Sequence, residues 1–399
     1  MAHFTYENFF NTPEIKRIIS PTRIFIGGNA RDLLFDFLPA DIKNCVVLVI
    51  DRFFEKNIFV EKIKKDYRKH YEIIVGEEPD SNFIKRQLKL ITEKISCIIA
   101  IGGGSTIDTA KALKAHRLYG EFMGIGYGEY RNLPEIERNE IKLIALPTTA
   151  GSGSEVSRYY LVINSDTKEK TANRSWSLCP TYAFIDPYFL SDIKPRQLIL
   201  NAFDAFVHSW ETFICATERS PMNDILAMDS IGRIVGSLGK FVKTKVIDEE
   251  ILKNLQYGAT LGGLALSNVR TGLLHDAGES LSSQISISHP ETMVIFFNES
   301  LILYGKAIKE RLEILSQTME RYYENNGFDR VENIMIFWDK LFEEFSIKED
   351  IGNRLKDIFI DRNLISEKIM KDSVLVNKES PIILTRDIVD KFIVKSLDF

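Results

Sequence analysis

The stretch Cys97–Leu113, CIIAIGGGSTIDTAKAL, decides the fold. Its first five residues are a β-branched run of the kind found in a strand buried on both faces. Gly102, Gly103, Gly104 and Ser105 then break the run, and Thr106–His116 continues with helical periodicity. Strand, glycine turn and helix in that order are half of a βαβ unit. Glycines let a backbone come close to a ligand, and a helix N-terminus offers N–H groups to a phosphate. The spacing is neither GxGxxG nor GxxxxGK[ST], so neither the usual dinucleotide loop nor a Walker loop applies. A tight turn without a ligand is the competing reading.

Outward from this stretch, Asn44–Ile50, Lys142–Leu146 and Tyr182–Ile185 read as further buried strands, and Asn82–Lys94 as a helix. The alternation predicts a parallel α/β sheet. A second loop of small residues, Pro147–Glu155, follows the Lys142–Leu146 strand and carries Thr148, Thr149, Ser152 and Ser154. Two such loops after neighbouring parallel strands open at the same carboxyl edge of the sheet, where ligands bind. Asp51 ends the Asn44–Ile50 run. It either takes the adenosine ribose hydroxyls and repels a 2′-phosphate, or caps the next helix.

From about Lys194 the pattern changes to long amphipathic segments: Asn201–Thr217, Pro221–Val242, Ile251–Leu266, Tyr304–Asn325 and Val331–Phe345. Pro187 and Pro195 bracket the change. The expected architecture is an α/β nucleotide-binding domain with a parallel sheet over residues 1–190, followed by an all-α domain over 191–399. With no flexible linker between them, the two should pack around a cleft.

Composition narrows the function. The 399 residues carry 51 Lys and Arg against 56 Asp and Glu, a net charge of −5, so nothing draws the chain generally to nucleic acid or anionic membrane. No run of 18 apolar residues suggests a membrane span, and MAHFTYENFF does not read as a signal peptide. Cys45, Cys97, Cys179 and Cys215 form no CxxC pair, which favours a reducing cytoplasm over a disulfide framework.

Of the 6 histidines, His3, His70 and His116 lie in polar or terminal settings and are predicted at the surface. Asp204 and His208 stand at i and i+4 and share one helix face. His275 and His289 follow, fourteen apart. One carboxylate and three imidazoles suit Zn²⁺ or Fe²⁺. For any single histidine, a hydrogen-bonded core or surface role is the simpler reading.

With these motifs the chain resembles the iron-containing (group III) alcohol dehydrogenase family. GGGSTIDTAK, LPTTAGSGSEV, the Asp204–His208 helix, His275 with His289, and the tail SPIILTRDIVDKFI carry the likeness, which runs from RIFIGG onward. The resemblance implies a dehydroquinate synthase-like architecture and a metal-dependent, NAD(P)-linked interconversion of alcohols and aldehydes. It assigns the pyrophosphate loop to Gly102, Gly103, Gly104, Ser105 and Asp108. It assigns the second loop to Thr148, Thr149, Ser152 and Ser154, and a nucleotide-side lysine to Lys170. Asp51 falls at the position linked to NAD(H) over NADP(H). Asp204, His208, His275 and His289 fall on four ligands of one divalent ion, Fe²⁺ or Zn²⁺. A homodimer is the family's habit.

One position departs. The family usually has a histidine four residues after the third ligand, and this chain has Glu279 there; Ser152 also replaces a usual threonine. Either the proton path is altered, or the substrate is unusual, or activity is reduced; Glu279 is read as a proton relay paired to a nearby base. Arg270, five residues before His275, is read with Arg158 and Arg174 as a possible anion holder, which would make the substrate a small polar alcohol or aldehyde carrying an acidic group. Two other readings are a dehydroquinate synthase-type lyase using NAD transiently, and a degenerate member that binds nucleotide without turnover. Stoichiometric NADH accumulation separates the first from a dehydrogenase, and metal content separates the second.

Overall fold

A computed structural model describes residues 18–37, 45–67, 70–120, 131–136, 140–322, 331–371, 377 and 379–398. The ends of two expected segments, Asn44 and residues 323–325, lie outside this set, as does His3. The strands are β1 Arg23–Ile26, β2 Cys45–Asp51, β3 His70–Val75, β4 Ile95–Gly102, β5 Arg131–Asn132, β6 Lys142–Pro147, β7 Tyr159–Ile163, β8 Lys170–Arg174 and β9 Tyr182–Ile185. Six form a parallel sheet in the order β1-β9-β6-β4-β2-β3.

Side chains alternate across β2 and β4, and both faces are buried. Val47, Val49, Ile98 and Ala100 face one core. There they meet Ile84 and Leu88 of α2 (Ser81–Leu90) and Ile107 and Leu113 of α3 (Gly104–Tyr119). Val46, Leu48, Ile50, Ile99 and Ile101 face the other core, against Phe59, Val60 and Ile63 of α1 (Ile58–Asp66). Each fully buried aliphatic side chain of this kind contributes about 1.5–3 kcal/mol. Two covered faces explain why the strands read as unbroken apolar runs.

The strand order reverses at one place. The chain runs from β2 outward to β3, then returns to β4 on the opposite side of β2 and moves away through β6. The switch point lies between β2 and β4, whose carboxyl ends are Asp51 and Gly102. Asp51 and the glycine turn therefore share the crevice where open α/β sheets take ligands. A smaller sheet, β5-β8-β7, has no counterpart in the sequence reading and puts Arg174 at the end of a strand.

Helices follow from Pro195. They include α4 Pro195–Ile214, α5 Pro221–Thr244, α6 Glu249–Asn268, α7 Leu273–Ser282 and α8 His289–Tyr304. Pro195 and Pro221 open α4 and α5, where the missing proline N–H costs nothing. The core of this region is aromatic: Phe203, Phe206 and Trp210 of α4 pack on Phe297, Trp338 and Phe342. No helix among the described residues is long and apolar enough to cross a membrane.

The sheet region meets α6 at two glycines. Gly153, with φ +60°, presses its backbone against Gly263; a Cβ on Gly263 would lie 2.6 Å from the Gly153 carbonyl oxygen. Backbone on both sides leaves nothing flexible to yield. Gly263→Ala is expected to cost about 1–3 kcal/mol as an overpacking substitution, read as a lowered guanidinium unfolding midpoint. An unchanged midpoint means the contact opens freely.

Candidate active site

Between the sheet's carboxyl edge and the helices lies a cavity of about 1200 Å³. Gly104, Ser105, Asp108, Thr149, Ser152, Ser154 and Lys170 line one side, and Asp204, His208, Arg270, His275, Glu279 and His289 the other. The two sets of motifs thus meet in one space.

The glycine turn is held against the second loop. The Thr148 N–H donates to the Gly102 carbonyl at 3.1 Å. A Cβ on Gly103 would stand 2.9 Å from Thr149 Cγ2, and one on Gly104 3.0 Å from Ser152 Cβ. Gly102, Gly103 and Thr148 are not among the residues that line the cavity. Asp51 stands at the neighbouring strand end and is not among the wall's residues. Its Oδ1 accepts from the Phe53 N–H at 2.9 Å, so the capping role exists.

Asp108 works from beneath the loop. Its two oxygens accept from Ser154 Oγ at 2.6 Å and the Leu161 N–H at 3.0 Å. Lys111, unmarked by sequence reasoning, donates from Nζ to Ser154 Oγ at 2.9 Å and to the Tyr159 carbonyl at 2.6 Å. Burial raises the Asp108 pKa and lowers that of Lys111, and each partner's charge opposes the shift. Lys170 Nζ donates to Glu78 at 2.7 Å. Burial opposes its charge, but Glu78, Glu279 and Asp108 outweigh that and hold its pKa above the ordinary value.

Helix α4 supplies Asp204 and His208, α7 supplies His275, and α8 opens with His289. One potential ligand atom from each of the four lies within 4.8 Å of the others. Asp204 Oδ1 is 3.8 Å from His208 Nε2 and 3.5 Å from His289 Nε2. Asp204 Oδ1 and His275 Nε2 are buried without a hydrogen-bond partner. Burial brings the His208 pKa down to about 4, and burial with neighbouring cations holds His289 well below its usual value. Both rings are therefore neutral near pH 7, the state in which imidazole binds a metal. Orphaned donors, neutral rings and an N₃O set fit one divalent ion. His70 and His116 are half-buried, not fully exposed, and belong to other parts of the structure.

Sequence reasoning missed Glu211. It lies on the α4 face of Asp204 and His208, and its carboxylate accepts from His275 Nδ1 at 2.5 Å and from the N–H groups of Gly272 and Leu274. The signal was present as the i, i+4, i+7 spacing of Asp204, His208 and Glu211.

Glu279 faces the cavity, where burial raises its pKa against the pull of Lys170, His275 and Arg270. Arg270 is buried with its guanidinium 3.6 Å from Asp276 and 3.6 Å from Glu379. Burial pushes Glu379 up to about 8 despite Arg270. Arg270, read as a possible anion holder, therefore lines the cavity with two carboxyl groups beside it. Arg158 packs over Tyr159 and Trp176, and Arg174 over Tyr159.

Comparison with known proteins agrees with this arrangement. Residues 21–187 match the family model for iron-containing alcohol dehydrogenase, and residues 198–389 match its Fe-containing alcohol dehydrogenase C-terminal model. An NADPH-dependent butanol dehydrogenase of Clostridium saccharobutylicum is 26% identical over 328 residues, 79% of this chain and 82% of that one. An alcohol dehydrogenase of Thermococcus barophilus is 31% identical over 278 residues, 68% of this chain and 70% of its own. The structure of an alcohol dehydrogenase from Oenococcus oeni superposes with a TM-score of 0.80 at 23% identity, covering 96% of this chain and 100% of that one. The chain belongs to the iron-containing alcohol dehydrogenase family, and is an NAD(P)-linked, metal-associated oxidoreductase of alcohols.

Proposed function

We propose that Asp204, His208, His275 and His289 hold one divalent ion, Fe²⁺ or Zn²⁺, and that the enzyme uses NAD(H) in preference to NADP(H) on a small polar alcohol or aldehyde. The observation that carries this reading is the convergence of four ligand atoms within 4.8 Å, in the same cavity as both small-residue loops. Bound there, the ion supplies Lewis acidity and the nicotinamide two-electron exchange.

This chain's own residues do the rest. Gly102, Gly103 and Gly104 admit the dinucleotide's phosphates to the N-terminus of α3, with Ser105, Thr148, Thr149 and Ser152 as hydroxyl partners. Asp108 and Ser154 fix the second loop's shape. Asp51 receives the ribose and disfavours a 2′-phosphate. Lys170 sits beside Glu279 and tempers its charge. The wall sets Thr271, Ser280 and Ser283 among Leu266, Ile285 and Ile287, which gives a small alcohol or aldehyde both polar partners and apolar contact. An acidic substituent is not part of the proposal, because Arg270 is already engaged by Asp276 and Glu379. Four free, buried cysteines suit a reducing cytoplasm; the domains proposed are residues 1–190 and 191–399, and a homodimer is the assembly proposed from the resemblance.

Three outcomes test the reading. Purified wild type should carry about one equivalent of metal per chain, and His275→Ala and His208→Ala should lose metal and alcohol oxidation together; full metal occupancy in His275→Ala removes the ligand assignment. In steady-state kinetics kcat/KM for NADH should exceed that for NADPH, with Asp51→Gly narrowing the gap. Equal or better use of NADPH by the wild type leaves Asp51 as a helix cap only.

Glu279, whose pKa burial raises, is proposed to hold a proton at its carboxyl oxygen and pass it to the substrate oxygen during aldehyde reduction. The pKa lies above the ordinary 4.5, so reduction should fall as pH rises through that higher value, while oxidation, which needs the carboxylate, should rise. Glu279→Gln should lower kcat on the order of 100-fold and erase that limb of the pH profile. A profile identical to wild type rules out the relay.

A further inference from the structure

We infer that Glu211 is the residue that positions His275, fixing both which ring nitrogen faces the ligand cluster and which one carries the proton. The inference rests on the metal reading above and adds to it a residue outside the ligand set.

The geometry is specific. Glu211 Oε2 accepts from His275 Nδ1 at 2.5 Å and from the Gly272 N–H at 2.9 Å, and Oε1 accepts from the Leu274 N–H at 2.7 Å. The carboxylate is buried, at 4% exposure. It also serves as the missing cap of α7, because the N-cap residue Gly272 has no side chain to do so. A Cβ on Gly272 would stand 3.3 Å from Oε1, so the glycine lets the carboxylate sit close to this turn. Glu211 is not one of the four converging residues.

A carboxylate has no proton to give, so His275 must donate from Nδ1. That leaves the Nε2 lone pair for the cluster, where Nε2 is buried with no other partner. Helix α4 thus provides two candidate ligands and the holder of a third from positions i, i+4 and i+7. An outer carboxylate of this kind sets the tautomer and ring orientation of a ligating histidine.

The test uses the full chain, stripped of metal and titrated with Co²⁺ alone. In Glu211→Gln, one amide oxygen cannot replace an acceptor of three bonds. When the amide NH₂ faces His275, Nδ1 must accept and the proton moves to Nε2. Co²⁺ affinity should fall about 10–100-fold, with changed d–d absorption at unaltered far-UV circular dichroism. Nitrogen-15 spectra of the metal-free wild type, at alkaline pH where the ring is neutral, should find the His275 proton on Nδ1. That spectrum decides the question even if the variant does not fold. A His275 proton on Nε2 in the wild type overturns the inference. So does Co²⁺ affinity within twofold of wild type in Glu211→Gln, and this second result leaves the metal reading intact. Failure of the wild type to bind Co²⁺ overturns both.

Discussion

Four ionisable side chains share one buried space at the junction of sheet and helices, and the rest of the fold is arranged around keeping them there. Removing one ion from water costs several kcal/mol even after relaxation. Asp204, His208, His275 and Glu211 are each at most 6% exposed. Burial favours the neutral ring of His208, and Glu211 accepts from three donors, one of them His275, while Asp204 Oδ1 and His275 Nε2 are left without a hydrogen-bond partner. The divalent ion proposed for this site would satisfy the atoms still unpaired.

Helix α4 has two jobs on opposite faces. Phe203, Phe206 and Trp210 lock it into the aromatic core, while Asp204 and His208 turn toward the cavity and Glu211 toward His275. A helix buried along almost its whole length cannot rotate or slide without emptying the aromatic core. The polar face inherits that rigidity. Similar logic applies on the sheet side, where Asp108, Ser154 and Lys111 brace the second loop from below and leave its outer hydroxyls to the cavity.

The fold class was legible because period and length speak for themselves. Runs such as CIIAI and VVLVI are too short for helices and apolar on both faces, so they can only be buried strands. The β5-β8-β7 sheet was invisible: β8 is KTANR, with polar residues and no clear alternation, held by pairing to β7 and not by its own preference. The four candidate ligands were legible as residue types at suggestive spacings, but nothing in the spacing of His275 and His289 says that their rings come within 5.1 Å of each other.

Local chemistry, then, was set by the sequence alone: the strand–turn–helix unit, the glycines at the turn, and the i, i+4 pair of candidate ligands. These depend on near neighbours in the chain, whose geometry the backbone dictates. Tertiary structure alone decided the rest. It paired Glu211 with His275 across 64 residues, engaged Arg270 with Asp276 and Glu379, and put the sheet's reversal point at Asp51 and Gly102. Each of these turns on distance and burial between segments far apart in the chain, and a side chain's charge, tautomer and availability are fixed by what packs against it.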